Sequence, residues 1–249
     1  MFAIFKKELR SYFINAIGYV YVGVFLAASA LLLCTTTLRS ASYDTSNYFN
    51  LLLITFIILI PLLTMKLFSE EKKLRTEQLL MTAPVTVFGM VFGKFLAAFT
   101  LFGGTLLVSF INFFPLYVYG FEETAAADNG GVIFIGPSTG EIIGCMIGIL
   151  LIGAAFVAIG LFISSLTENQ LAAAIITVAV ILVMLLLNVV NESINVYAVR
   201  VVLDWFCILS RFSAFSSGYF DFAAMLYYLS LAGVFLLLTV RVYDKRRWS

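Results

Sequence analysis

The sequence predicts an all-α membrane protein of six transmembrane helices, and three observations predict it. First, 62% of the 249 residues are apolar or aromatic, only 12% are Asp, Glu, Lys or Arg, and the mean hydropathy is +1.06. A soluble domain is about half apolar or less and about a quarter charged, and a folded chain of this size exposes too much surface for such a composition. Second, six stretches reach the roughly 20 residues that a helix needs to cross a bilayer. Third, none of those six stretches contains Asp, Glu, Lys or Arg. The composition excludes a soluble globule, a disordered chain and a nucleic-acid binder.

In chain order, Phe2, Phe5, Leu9 and Tyr12–Phe13 recur at helical spacing, with Lys6, Lys7 and Arg10 on the other side. That pattern predicts an interfacial helix over residues 1–14, its basic face against anionic headgroups. The plainer alternative is a basic flank to the first span, Ile17–Leu38. Within that span Ala28-Ser29-Ala30 looks like a cleavage site and Leu31-Leu32-Leu33-Cys34 like a lipoprotein box. The apolar run continues past both, and Leu33 is not small, so the stretch is read as a span.

The second span is Tyr48–Met65. The stretch from Ser69 to Thr86 then reads as a charged helix, with Glu71 and Arg75 in the favourable i,i+4 orientation. It carries apolar Leu79-Leu80-Met81, and Pro84 ends it. A charged helix with an apolar knob suits a partner's groove, although a solvated surface is the plainer reading.

The third span is Phe95–Tyr119, followed by a Gly/Ala/acidic loop, and the fourth is Ile142–Leu166. Gly89 and Gly93, and then Gly140, Gly144 and Gly148, are small residues four apart, which let helices approach closely within one subunit or between two. The fifth span is Leu171–Val190. Between it and the sixth, Phe222–Val240, the segment Asn195–Phe215 carries one stripe of Val199, Val202, Phe206 and Leu209. A second stripe holds Arg200, Asp204, Cys207 and Arg211, which predicts an amphipathic helix with an Arg200–Asp204 pair.

The charges give an orientation. Six spans put both termini on one side, and that side holds 12 of the 15 basic residues, leaving Arg39, Arg200 and Arg211 opposite. The basic side is expected to be cytoplasmic. The net charge of +1 conceals this asymmetry.

Several chemistries lack residues. There is no histidine, and the three cysteines (Cys34, Cys145, Cys207) have neither metal-ligand nor redox spacing. No GxxxxGK[ST] phosphate loop is present, so no nucleotide hydrolysis by this chain is expected, and no other catalytic constellation is visible. Polarity within the spans comes from hydroxyls and amides such as Thr55, Thr100, Thr105, Ser109, Asn112, Thr177 and Asn188. Interhelical hydrogen bonds or a polar substrate path would use them. Ion-coupled transport needs an ionisable group at membrane depth, and the spans as drawn have none.

The run from Glu70 to Val85, with Glu70-Glu71-Lys72-Lys73, Thr76, Leu79-Leu80 and Thr82-Ala83-Pro84-Val85, resembles the cytoplasmic signature of type-2 ATP-binding-cassette exporter permeases. The likeness is closest to the short permeases of the gliding-motility and copper-site-assembly type. It extends to the opening Phe5-Lys6-Lys7-Glu8-Leu9-Arg10, to Gly93-Lys94, and to the ending with Arg241 and Arg246-Arg247. Many of those permeases carry Gly where this chain has Arg75, and Glu where it has Gln78.

The resemblance implies a permease that pairs with a second copy or a paralogue in the cytoplasmic membrane and exports an unidentified substrate. Two cytosolic ATPases would hold ATP and magnesium, leaving no cofactor on this chain. Glu70, Glu71, Arg75, Thr76, Glu77, Leu79, Leu80 and Pro84 would form the ATPase-coupling element. Phe5, Lys6, Glu8, Leu9 and Arg10 would belong to the interfacial helix beside membrane lipid. Arg200, Asp204, Phe206 and Arg211 would belong to an outer gate, where the residues themselves also allow an interfacial anchor. The alternative function is a non-transporting membrane scaffold that recruits an ATPase.

Overall fold

In the computed structural model, the described residues are 1–39, 44–76, 86–122, 124–126, 132–134, 137–193, 203, 207–216, 218 and 221–248. Among them are six helices long and apolar enough to cross a membrane: Ile17–Leu38, Ser46–Lys73, Val87–Val118, Thr139–Leu166, Gln170–Asn188 and Phe222–Arg246. The chain is a multi-pass helical bundle.

The helices are α1 (Phe2–Ile14), α2 (Ala16–Leu33), α3 (Ser46–Thr64), α4 (Ser69–Lys73), α5 (Val87–Ser109), α6 (Phe114–Glu122), α7 (Thr139–Leu166), α8 (Gln170–Ser193), α9 (Ile208–Ser216) and α10 (Phe222–Trp248). A short antiparallel hairpin pairs Thr124–Ala126 with Val132–Phe134 after α6. Side-chain carboxylates and amides hold the first turns of several helices. The Asp44 carboxylate accepts from the Ser46 N–H at 2.8 Å, Asn169 from Leu171 at 3.0 Å, and Asp221 from Ala223 at 2.9 Å. Those bonds satisfy donors that a helix leaves open at its N-terminus, and the one from Ser46 holds the Asp44 carboxyl below its usual range.

Two local irregularities have visible causes. A π-helical turn, Cys34–Leu38, ends α2 where threonine hydroxyls turn back on the backbone: Thr35 donates to Leu31 O and Thr36 to Leu32 O. A 3-10 turn, Phe110–Phe113, separates α5 from α6, because Pro115 has no N–H and its ring crowds the carbonyl four residues back.

α7 is the central helix, packed by α3, α5, α8, α9 and α10. Its glycines fall on two faces. On one, the space a Cβ would fill lies 3.1 Å from Phe215 O at Gly144 and 3.0 Å from the Phe212 ring at Gly148. On the other, it lies 2.1 Å from the Phe102 ring at Gly153 and 2.3 Å from Thr64 Oγ1 at Gly160. The Gly144–Gly148 ridge therefore packs within the subunit, against α9. Two aromatic groups tie the first three spans together: Phe25, Phe56 and Phe102, and Tyr48, Phe49 and Phe113, with centroids 5.0–6.4 Å apart. Such pairs contribute about 0.5–1.5 kcal/mol each beyond burial.

The hydroxyls in the spans mostly bond along their own helix rather than across helices. Ser29, Thr55, Thr105, Ser109 and Thr177 all donate to carbonyls three or four residues back. The Asn112 amide is an exception, donating across to Ser29 Oγ at 2.8 Å. A hydroxyl reaches its own i−4 carbonyl without ordering a second helix, so the local bond wins.

Two sequence expectations need correction here. The third span begins at Val87 rather than Phe95, because the Thr86 hydroxyl accepts from the Gly89 N–H at 3.2 Å and caps the helix. Gly93 and Lys94 thus lie two turns inside a helix. In α9 the buried face is Ile208, Phe212 and Phe215, and Cys207, assigned to the polar stripe, is fully buried. Arg200, Asp204 and Phe206 lie outside the described residues.

Candidate functional site

Both termini reach one end of the bundle. Met1 O sits 3.2 Å from the Cβ position of Gly93, and the Tyr243 ring packs on Phe68 at 4.7 Å. At this end the chain folds charged residues from three distant segments into one cluster.

The path to the cluster starts with α1. Ile4, Glu8 and Tyr12, four residues apart, share the face that docks on the bundle. Ile4 rests against Gly93, which leaves room for it, and Tyr12 donates its hydroxyl to Leu63 O at 2.8 Å. Burial, and then the Glu8 charge, push the Tyr12 phenol well above its usual pKa. Glu8 is thereby carried inward, its side chain 12% exposed.

Lys94 meets it from α5. This side chain has no exposed surface, and its ammonium lies 3.0 Å from Glu8 Oε1, 2.9 Å from Glu71 Oε2 and 2.6 Å from Leu67 O. The ammonium donates hydrogen bonds to Glu8 and to the Leu67 carbonyl, and the Glu71 carboxylate adds an ion pair. The Phe68 ring covers the group at 4.9 Å. Lys7 completes the cluster from the solvent side, 3.1 Å from Glu71 Oε1 and 3.7 Å from Glu8 Oε1. Burial works against its charge, but Glu71 and Glu8 outweigh that and raise its pKa. Two lysines and two glutamates sum to zero, which is the condition under which charge can sit in a low-dielectric site.

α4 is held from its other side as well. The Ser164 hydroxyl of α7 accepts from the N–H groups of Phe68 and Ser69, at 3.1 and 3.2 Å, and so caps α4 from another helix. Lys72 is buried and donates to Ser165 O at the C-terminal end of α7, where the helix dipole favours a cation. Tyr243 of α10 lies beside it, 6.0 Å from ammonium to ring centre. Glu71 faces α1 and α5 while Lys72 faces α7 and α10, so this five-residue helix is clamped to four others.

What remains outside is the tip. Lys73, Leu74, Arg75 and Thr76 are exposed, with Leu74 at 64%. The helix stops at Lys73 because Arg75 takes a left-handed conformation, φ +56°. This ends the helix far short of Pro84, and the local Glu71–Arg75 pair is not made: Glu71 pairs with Lys94 and Lys7 instead. Glu70 is half-buried, 3.9 Å from Lys66, and the Thr76 hydroxyl donates to Glu71 O at 3.3 Å. Glu77, Leu79, Leu80 and Pro84 lie outside the described residues. Phe5 and Leu9 are half-buried on α1, while Lys6 and Arg10 are exposed.

Arg211, at the opposite end, stacks on Tyr227 with its guanidinium carbon 4.3 Å from the ring centre. The sequence reading missed Lys94, Lys72 and Ser164 as structural partners. For Lys94 a signal existed: it is a lone cation among Val91, Phe95, Ala97 and Ala98, downstream of a threonine cap. No protein-family model matches the chain, and no curated protein matches it.

Proposed function

We propose that this chain is the transmembrane permease subunit of an ATP-binding-cassette exporter, working in a pair in the cytoplasmic membrane with both termini in the cytoplasm. A separate cytosolic ATPase docks at the 69–86 segment and supplies the energy. The observation that carries this reading is the clamping of α4. A docking element must pass a push from its partner into the spans, and a five-residue helix tied by Glu71 to α1 and α5, and by Lys72 and the Ser164 cap to α7, is built to do so. The exposed tip, Lys73 to Thr76, is the part left free to touch a partner. The resemblance at Glu70–Val85 supplies the class of partner.

The test is reconstitution of the full chain with a cognate ATP-binding-cassette ATPase in proteoliposomes. Leu74→Asp with Arg75→Glu changes only exposed side chains, so the protein still folds. The expected result is loss of ATPase capture and of permease-stimulated ATP hydrolysis. Unchanged capture and unchanged hydrolysis would refute the docking assignment. Capture and stimulation without substrate movement across the membrane would favour the scaffold reading.

A further inference from the structure

The docked face of α1 accounts for Ile4, Glu8 and Tyr12. At about 100° per residue the rest of the helix divides into two further sectors. One is apolar: Phe2, Phe5, Leu9 and Phe13, of which Phe2 is 76% and Phe13 41% exposed. The other holds Lys6, Lys7 and Arg10 together with Ala3, Ser11 and Ile14, which line one open groove. Lys6 and Arg10 are exposed and have no carboxylate partner among the described residues. Ile14, at the same end as Phe13, is 71% exposed.

We propose that this groove binds the headgroup of an anionic phospholipid, with Lys6 and Arg10 on the phosphate and the neighbouring apolar sector against the acyl chains. The juxtaposition argues for a lipid over a free anion. A free phosphate has no use for exposed Phe2, Phe13 and Ile14 beside the cations, whereas a lipid presents a charge and a hydrocarbon at that spacing. An acidic protein surface would likewise leave the phenylalanine sector uncovered. Lys7 stands between this groove and the buried cluster. Its ammonium is 58% exposed as a side chain yet bonded to Glu71, so lipid charge at the groove acts on the same side chain that braces α4. The proposal stands independently of any ATPase.

The experiment uses the full chain in nanodiscs of phosphatidylcholine and phosphatidylglycerol, with retained lipid counted by native mass spectrometry. The wild type should retain phosphatidylglycerol over phosphatidylcholine, and Lys6→Gln with Arg10→Gln should weaken that retention about tenfold to thirtyfold, since each surface cation contributes a similar small increment. Lys6→Arg with Arg10→Lys keeps the charge and should keep the lipid, which separates lost binding from lost folding. Equal retention of both lipids, or unchanged retention in the double Gln variant, overturns the proposal. So does displacement of the lipid by soluble glycerophosphate at matched concentration, which would make the site a phosphate site. If the double Gln variant keeps its lipid but loses an ATPase that the wild type captures, the groove is a protein contact and the proposal fails.

Discussion

Lys94 shows how one residue can be expensive and indispensable together. Its cation is fully buried, so the desolvation cost is large, and two carboxylates and a carbonyl offset it. Lys94→Met removes the buried cation and leaves Glu8 and Glu71 only the half-exposed Lys7 as a counter-ion, and is expected to destabilise the protein by about 3–5 kcal/mol. Adding Glu8→Gln and Glu71→Gln to Lys94→Met should recover most of that loss. Unfolding midpoints in a fixed detergent or nanodisc give both values, and an unchanged midpoint for Lys94→Met would mean the cluster does not hold α1. Arg75 is the opposite case. Its φ of +56° costs about 1–2 kcal/mol for a residue with a Cβ and almost nothing for glycine. Arg75→Gly should therefore raise the unfolding midpoint by the equivalent of about 1 kcal/mol, less what glycine loses as unfolded-chain entropy. Many of the permeases that the Glu70–Val85 run resembles carry Gly where this chain has Arg75, and a left-handed backbone is a physical reason for glycine there.

At the scale of elements, the central helix α7 depends on glycine where side chains would otherwise hold neighbours apart. A methyl group on Gly160 would fall 2.3 Å from Thr64 Oγ1 and 2.8 Å from its Cβ, and Thr64 is a short, buried side chain with nowhere to retreat. Gly160→Ala is expected to cost about 1–3 kcal/mol by overpacking. Gly140→Ala, on the same helix with open space around it, should change stability by less than about 0.5 kcal/mol. The pair of variants, compared by thermal unfolding, separates crowding from any general intolerance of the helix. Equal effects would sink the close-packing account. α4 is too short to be stable alone, because helix nucleation needs more turns than it has. It exists because Ser164, Lys72 and Glu71 attach it to longer helices.

The whole molecule is a bundle with charge at its ends and none in the middle of its spans among the described residues. The expected orientation places the end with both termini in the cytoplasm. In a Cys34→Ser background, Arg39→Cys should react with a membrane-impermeant maleimide on intact cells, and Leu74→Cys should react after the membrane is opened. The reverse pattern would invert the topology. Six spans, their order and the clustering of cations at one end were legible in the sequence, because span length and loop charge are properties of consecutive residues. The starts and ends of the helices were less so. An apolar-run criterion starts the third span two turns late because it stops at the first charge, whereas the helix begins at the Thr86 cap and carries Lys94 inside it. Lys94 stood out as a lone cation, but the pairing within the ion cluster was not legible. Local spacing pointed Glu71 to Arg75, four residues on, but its partners are Lys94 and Lys7, 23 and 64 positions away. Helix periodicity settles which residues share a face of one helix. Which faces meet depends on how all the helices pack, and in a bundle with few charges that packing alone decides which cation a carboxylate finds.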